Sequence, residues 1–343
     1  MQTPNRDLFA TNSTKLQYKD IDPLLNSPTL DKEFNKRNMA ANTAKRKYHG
    51  LGQLAILLVA MSAIFTIAEA LILPEILDNI ILKFTAVTMA GIGIVLQCYL
   101  ILTKQKQKWL INRFASERLR SLKFQAYAFA HISEDVKDLK AKVQSYIDKE
   151  LAKLENELNA GLAVLKNFAP NKVVENIEAQ NIATKAKPKN AELAKIAIQA
   201  YTELRVQYQR NFALSELSNF TGRRRIFNSS QDMIYLAAAA FAFISLGTKI
   251  VGPQAMGINT GWIDFLAVTL FILGATEAIM DNALLEEQSQ SRFEQYVRNI
   301  EEISGGKNMG RANLSALVLD MERLCLNELD VFCRAAERIS YRF

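Results

Sequence analysis

Apolar residues in this chain are concentrated in four long stretches rather than spread evenly. The stretches comprise residues 51–74, 80–102, 233–251 and 262–281. Each is close to the roughly 20 residues that an α-helix needs to cross a hydrocarbon core about 30 Å thick. Buried helices of a large soluble protein are the alternative, but four such stretches in two closely spaced pairs favour membrane helices. The pattern therefore predicts two transmembrane helical hairpins.

Outside these stretches the apolar residues recur at helical spacing. From Ile132 to Leu165 they follow one another every three or four positions, which predicts a long amphipathic helix that can pair as a coiled coil and ends near Pro170. A second long helix is expected from about Ala191 to the third apolar stretch, and a third over the C-terminal residues 314–339. The predicted fold is an all-α integral membrane protein with four transmembrane helices and long cytosolic amphipathic or coiled-coil helices.

The two halves of the chain show the same order of features. Residues 42–56 lead into the first apolar pair as residues 220–234 lead into the second, and both segments carry a basic triplet. We interpret this as an internal duplication. The expected domains are a loosely ordered polar tail (1–35), a first unit (36–168, with its cytosolic helix at 104–168), a linker (169–190) and a second unit (191–343).

The distribution of charge predicts the orientation in the membrane. The net charge is +7, with 42 Lys and Arg against 35 Asp and Glu. The basic residues flank the apolar pairs, whereas the short connections 75–79 and 252–261 contain none. The positive-inside rule then places both termini and the middle of the chain in the cytoplasm, and this placement argues against nucleic acid as the partner.

The cysteines and the N-terminal residues fit the same location. The three cysteines, Cys98, Cys325 and Cys333, suggest no disulfide framework and favour a reducing compartment. No cleavable secretory signal is expected, because the first 35 residues are polar. We therefore expect a multi-pass protein of the cell inner membrane.

Charged residues interrupt the apolar stretches, and each would cost about 2.5–3.5 kcal/mol at mid-bilayer on insertion scales. Folding the first hairpin about its turn brings Glu69 level with Lys83, and folding the second brings Lys249 level with Asp264. These pairs either neutralise themselves near the interface or line a polar path between assembled helices. Glu277 has no base at its depth, and is either hydrated near the inner surface or an ion-sensing or pore residue.

Signatures of enzymes are missing from the sequence. The two histidines lie outside any metal-ligand spacing, and there is no phosphate-binding glycine loop or nucleophile elbow. We expect neither catalytic activity nor a cofactor.

One motif follows the second apolar stretch. Trp109, Arg113 and Glu117 are spaced four apart, and Arg120 continues along the same helical face. An ordinary surface ion pair and an interfacial tryptophan would explain the spacing locally. The whole pattern, W-x-x-x-R-x-x-S-E-x-L-R with Phe124 after it, resembles the SLATT family of two-transmembrane effector domains, which accompany nucleotide-second-messenger synthetases and SLOG sensors.

The second half resembles another branch of that family through residues 201–227, although the motif is absent after the fourth apolar stretch. The resemblance implies two SLATT-like units in tandem, acting as a membrane effector of a bacterial antiphage system. It further implies a homo-oligomer that permeabilises the bilayer when a cytosolic sensor or a nucleotide second-messenger system triggers it. A constitutive ion channel or transporter, and a membrane-anchored scaffold without pore activity, are the two alternatives.

Overall fold

The computed structural model describes residues 5, 7–9, 11–72, 80–178, 187–251, 260–284, 286–305 and 314–338. All regular structure in these ranges is helical. The α-helices, in chain order, are α1 (Asn12–Gln17), α2 (Asp22–Leu25), α3 (Pro28–Ile72), α4 (Ile80–Leu102), α5 (Gln105–Gln125), α6 (Phe129–Ile132), α7 (Val136–Leu158), α8 (Ala163–Lys166), α9 (Pro170–Glu178), α10 (Ala191–Tyr201), α11 (Tyr208–Val251), α12 (Thr260–Leu284), α13 (Glu286–Gly305) and α14 (Leu314–Arg338). Short 3-10 turns occupy Lys19–Ile21 and Ala126–Ala128, and Thr202–Gln207 is π-helical.

The chain divides into two compact units. The helical unit comprises Met1–Thr43, Gln107–Ser218 and Gln288–Arg338, and the hairpin unit comprises Ala44–Lys106, Asn219–Glu287 and Ile339–Phe343. Both units draw segments from both predicted halves of the chain. The division into halves at 36–168 and 191–343 therefore stays a prediction about repetition in the sequence.

The hairpin unit contains the predicted membrane segments. Among the described residues, three helices are long and apolar enough to cross a membrane, within Pro28–Leu71, Ile81–Leu102 and Gly261–Met280. The third predicted stretch lies in α11, and its apolar segment among the described residues is Met233–Leu246. Most of the two predicted connections, 75–79 and 252–261, lies outside the described residues.

Helices α3 and α4 approach closely at a glycine. A Cβ atom at Gly93 would lie 2.8 Å from Val59 Cγ2 and 3.0 Å from the Ala55 carbonyl oxygen, so only glycine fits there. Nearby, the Ser62 hydroxyl donates a 2.7 Å hydrogen bond to the Ala86 carbonyl oxygen. Small residues and hydroxyl bonds of this kind hold helices together where water is absent.

The N-terminal residues do not form the loosely ordered tail that we predicted. Residues 11–25 form α1, a 3-10 turn and α2, and α3 begins at Pro28. Proline is well suited to the first turn of a helix, so Pro23 and Pro28 start helices here. The segment is also anchored by apolar side chains buried in the helical unit, namely Leu8, Tyr18, Ile21, Leu24, Leu25, Leu30 and Phe34.

The single cytosolic helix predicted at 104–168 is also wrong in its extent. It divides after Gln125, and α7 restarts at an N-cap in which the Asp135 carboxylate accepts the Asp138 amide N–H. It ends at Leu158 rather than near Pro170, because Gly161 takes a left-handed conformation with φ of 62°. The apolar stripe of α7 is largely buried within the helical unit, through Leu139, Val143, Tyr146, Ile147 and Leu154.

The later helices are closer to the prediction. The chain is helical from Ala191 to Val251 as expected, with the π-helical segment Thr202–Gln207 as an additional feature. The C-terminal helix α14 buries Leu314, Leu317 and Met321 of its predicted stripe, whereas Ile339 lies outside the described residues.

The contact at Gly93 yields the first prediction. Replacing Gly93 with alanine should lower the thermal unfolding midpoint of the detergent-solubilised protein, because Val59 and the α3 backbone must move. Gly91→Ala is the matched control, since a Cβ at Gly91 meets nothing within 4 Å. Alanine is favoured over glycine in a helix interior by about 1 kcal/mol, so the control should be neutral or stabilising. Equal midpoints for the two variants would contradict the observed packing.

Candidate functional site

The predicted motif lies on α5 within the helical unit, and its charged residues contact one another. Arg113 Nη2 lies 2.8 Å from Glu117 Oε1, and Arg120 Nη1 lies 3.5 Å from Glu117 Oε2. Burial raises the pKa of Glu117, but the guanidinium groups of Arg113, Arg120 and Arg205 outweigh burial and leave the pKa below its ordinary value. Glu117 is therefore a carboxylate held between arginines.

Trp109 lies in the core of the helical unit rather than on its surface. Only 3% of the residue is exposed, and its ring meets the ring of Phe332 on α14 edge-on, with centroids 6.1 Å apart. Edge-to-face aromatic pairs add to the energy of apolar burial. Trp109 thus fixes α5 against α14.

Arg120 connects α5 to the N-terminal segment. Its Nε lies 3.6 Å from Asp7 Oδ2, and its Nη2 donates a hydrogen bond to Asn5 Oδ1. The guanidinium carbon is 5.4 Å from the centroid of the Phe34 ring, within cation–π range. An arginine that the motif placed on α5 therefore holds residues more than a hundred positions earlier in the chain.

Arg205 is a second buried arginine, which the sequence interpretation did not single out. Its Nε and Nη2 donate hydrogen bonds of 2.7 and 2.9 Å to the two carboxylate oxygens of Glu322. The Tyr201 hydroxyl donates a 3.1 Å bond to the same carboxylate. The two side chains of the ion pair are 2% and 0% exposed, which makes this a fully buried bidentate pair.

The π-helical segment explains how Arg205 reaches this position. Leu204, Arg205 and Val206 are consecutive and all buried. Successive residues of an α-helix point about 100° apart, so three buried neighbours need packing on more than one side. This buried run lies within the π-helical segment, and π-helical turns are frequent at functional sites.

The six charged groups form one balanced network. Arg113, Arg120 and Arg205 supply three positive charges, and three carboxylates supply three negative charges: Asp7, Glu117 and Glu322. Aromatic rings cover one side, since the Arg205 guanidinium carbon is 4.7 Å from the centroid of Phe124, which contacts Tyr127 and Tyr201. We call these six groups the charge network.

A charge inside an apolar stripe is the sequence signal that points to both partners of the Arg205–Glu322 pair. Glu322 follows the buried Met321 on α14, and Arg205 stands between buried Leu204 and Val206. A charged residue in such a position is seldom buried without a partner. The pattern identifies the candidates, but their mutual pairing across 117 positions is visible only in the structure.

In the hairpin unit the predicted membrane charges are placed as follows. Lys83 Nζ lies 3.1 Å from Glu69 Oε1, so the first depth-matched pair does meet. Asp264 accepts a hydrogen bond from the Ser245 hydroxyl. The side chain of Lys249 lies outside the described residues, and Glu277 is partly buried on α12.

Two observations concern metal ligands and nucleophiles among the described residues. They contain no group of three or more His, Cys, Asp or Glu side chains placed to hold a metal ion. Burial raises the pKa of Cys325 and of Cys333 to about 12, so both thiols stay protonated and unreactive at neutral pH.

Comparison of the chain with protein-family models, with curated proteins and with solved structures found no match. The resemblance to the SLATT family therefore stays a prediction from the sequence, based on the motif after the second apolar stretch and on residues 201–227.

Breaking the Arg205–Glu322 pair yields the second prediction. Glu322→Gln should lower the free energy of unfolding of the helical unit by about 3 kcal/mol, because it leaves a buried guanidinium short of charge. The measurement is denaturant unfolding of the full chain in detergent, with tryptophan fluorescence as the readout. The chain has two tryptophans, so a Trp262→Phe background leaves Trp109 as the sole reporter.

Asp330→Asn on the same helix is the control for this prediction. Asp330 pairs with Arg334 at 2.9 Å, but the Arg334 side chain is 64% exposed, and solvent screens surface pairs of this kind so that they add little to stability. Equal losses for Glu322→Gln and Asp330→Asn would show that the buried pair does not hold the unit together.

Glu328 yields a third prediction, on pH. It lies 2.8 Å from Arg292, yet burial raises its pKa to about 7 against the opposing effect of that charge. A carboxyl whose pKa is raised by folding contributes stability that is complete below its ordinary value near 4.5 and is lost as pH rises through about 7. The helical unit should therefore lose stability between these values.

Glu328→Gln isolates that contribution, since glutamine resembles the protonated carboxyl and does not titrate. The free energy of unfolding of the variant, relative to the unsubstituted chain, should rise from pH 5 to pH 8. Trp109 fluorescence reports it, because Phe332 contacts both Trp109 and Arg292. Parallel pH profiles would contradict the raised pKa.

Proposed function

We propose that this chain is a membrane effector built from two SLATT-like hairpins. It oligomerises in the inner membrane of a bacterium and permeabilises that membrane when a cytosolic signal reaches the helical unit, in defence against phage. The motif around Trp109 and the three membrane-competent helices support this proposal.

The observation that carries the proposal is the placement of the motif. Its arginines and Glu117 belong to a buried network that joins α5 to the N-terminal segment, the π-helical segment and α14. A buried charge depends on all of its partners, so disturbing one member changes the energy of the others. The helical unit is thus suited to convert a local binding event into a change of packing.

The proposed topology has four crossings and both termini in the cytoplasm. The described apolar part of the third stretch, Met233–Leu246, is shorter than a full crossing, and we propose that it spans together with the residues up to 251. The basic residues Arg223, Arg224 and Arg225 before it fit the cytoplasmic side.

A pore would require several copies of the chain. Four helices do not enclose a wide channel, and the Glu69–Lys83 pair neutralises two of the charges available to line one. We propose that copies associate through their hairpins, and that the helical units hold the assembly closed until they are triggered.

The topology is tested by labelling single cysteines with a membrane-impermeant maleimide. In a chain whose three native cysteines are replaced by alanine, Leu77→Cys and Met256→Cys should react in intact spheroplasts. Lys187→Cys should react only after permeabilisation, since residue 187 lies in the proposed cytoplasmic segment. Reaction of Lys187→Cys in intact spheroplasts would refute the topology.

Activity is tested with a membrane-potential dye in bacteria that express the chain and are then infected with phage. Infection should abolish the potential, and uninfected cells should keep it. Glu117→Gln, which removes a charge from the network, should change the response by at least tenfold in dose or time, whereas the exposed Arg334→Ala should not. An intact potential after infection would remove the pore proposal. Depolarisation without infection would indicate a constitutive channel.

A further inference from the structure

One carboxylate of the charge network fits its partners less well than the others. Asp7 lies 3.6 Å from Arg120 Nε and 3.9 Å from Arg205 Nη1, and its side chain has no exposed surface. A charge-assisted hydrogen bond is normally about 2.7–2.9 Å long. No described residue donates a hydrogen bond to either carboxylate oxygen of Asp7, and neither of those arginine nitrogens has a hydrogen-bond acceptor.

Glu322 forms short hydrogen bonds with the same arginine, so the poor hydrogen-bond geometry is a property of Asp7 and not of Arg205. Arg205 makes two short hydrogen bonds to Glu322 with its Nε and Nη2, and presents its remaining Nη1 toward Asp7. Arg120 likewise presents its Nε. Two buried N–H groups thus converge on one acidic group without forming hydrogen bonds to it.

The charge of the network indicates which anion could replace the Asp7 carboxylate between Arg120 and Arg205. Without Asp7 the network would hold three guanidinium groups and two carboxylates, a net charge of +1. An oxyanion with a single negative charge restores neutrality, whereas a dianion would leave the buried cluster negative. Guanidinium groups match the oxygens of carboxylates and phosphates in geometry, so the ligand is a carboxylate or a phosphodiester.

The segment that carries Asp7 is attached to the same basic elements. The Asn5 amide N–H donates to the Tyr208 hydroxyl at 3.0 Å, and Lys123 Nζ donates to the Leu8 carbonyl oxygen at 2.6 Å. Lys123 also pairs with Asp31 at 2.9 Å. The N-terminal segment therefore covers cations of α5, Arg120 and Lys123, and Arg205 of the π-helical segment.

We propose that Arg120 and Arg205 form an anion-binding site that Asp7 occupies in cis. An external oxyanion with one negative charge, a carboxylate or a phosphodiester, competes with Asp7 and releases the N-terminal segment. The site is a property of the helical unit and stands whether or not the chain permeabilises membranes.

The test uses the full chain in detergent with Trp109 as the sole tryptophan. Asp7→Ala should be destabilised, and formate or dimethyl phosphate should restore its denaturation midpoint. At a ligand concentration 100 times the dissociation constant, the unfolding equilibrium constant should fall about 100-fold. The two ligands separate a carboxylate source from a phosphodiester source, and sulfate should restore less because it carries two charges.

Asp20→Ala is the matched control, because Asp20 is an exposed acid of the same N-terminal segment. It should show no ligand-dependent gain. Adding Arg120→Gln to Asp7→Ala should abolish the rescue. Asp7→Asn keeps the shape of the side chain, and calorimetric titration with the same two ligands provides the result if Asp7→Ala does not fold.

Release of the segment is tested on the unsubstituted chain by limited trypsin digestion. The ligand that binds should accelerate cleavage at Lys15 at least threefold and leave cleavage at Lys187 unchanged. The proposal is overturned if neither ligand binds Asp7→Asn, if rescue is equal in Asp20→Ala, or if rescue persists without Arg120.

Discussion

The bidentate pair between Arg205 and Glu322 is the interaction on which the helical unit depends. Removing two full charges from water costs several kcal/mol for each ion, and only close geometry with further hydrogen bonds offsets that cost. Here the Tyr201 hydroxyl and the Phe124 ring supply the additional contacts. Since the two partners belong to the π-helical segment and to α14, the unit can bury either residue only when both elements are in place.

The π-helical segment and the ion pair depend on each other. A π-helical turn carries more residues than an α-helical turn, and rewinding by one residue would rotate all that follows by about 100° and shift it by about 1.5 Å. Such a rotation would withdraw Arg205 from Glu322 and from Phe124. The pairing energy therefore stabilises a backbone form that is otherwise rare.

Much of the secondary structure follows from the sequence, because its determinants are local. Apolar runs predicted the three long apolar helices among the described residues, and helical periodicity predicted the extent of helix from Ala191 to Val251. Counting residues from the turn predicted that Glu69 and Lys83 lie at the same depth, because each residue of a helix advances along its axis by the same rise of about 1.5 Å. The α5 motif likewise follows from i, i+4 and i, i+3 spacing.

The rest depends on contacts between distant segments, for which no local pattern exists. Asp7 meets Arg120 and Arg205 only because the N-terminal residues fold back, and Pro23 and Pro28 suggested disorder where they in fact start helices. The end of α7 depended on Gly161, because glycine adopts the helical and the left-handed conformation about equally readily, and the sequence alone does not decide between them. The sequence shows the six charged residues, but it does not show which of them pair with one another.

The ion pairs of the two units differ in how far they are exposed, and this difference bears on the proposed assembly. In the helical unit the Arg205–Glu322 pair is almost completely covered. In the hairpin unit the Lys83 side chain is 53% exposed although it pairs with Glu69. Hydrocarbon would make that exposure costly, whereas water, headgroups or protein would not. In the proposed bilayer Lys83 must therefore reach the interface or lie against a neighbouring copy of the chain. In the second arrangement, the Glu69–Lys83 pair would determine which surfaces of two hairpins meet.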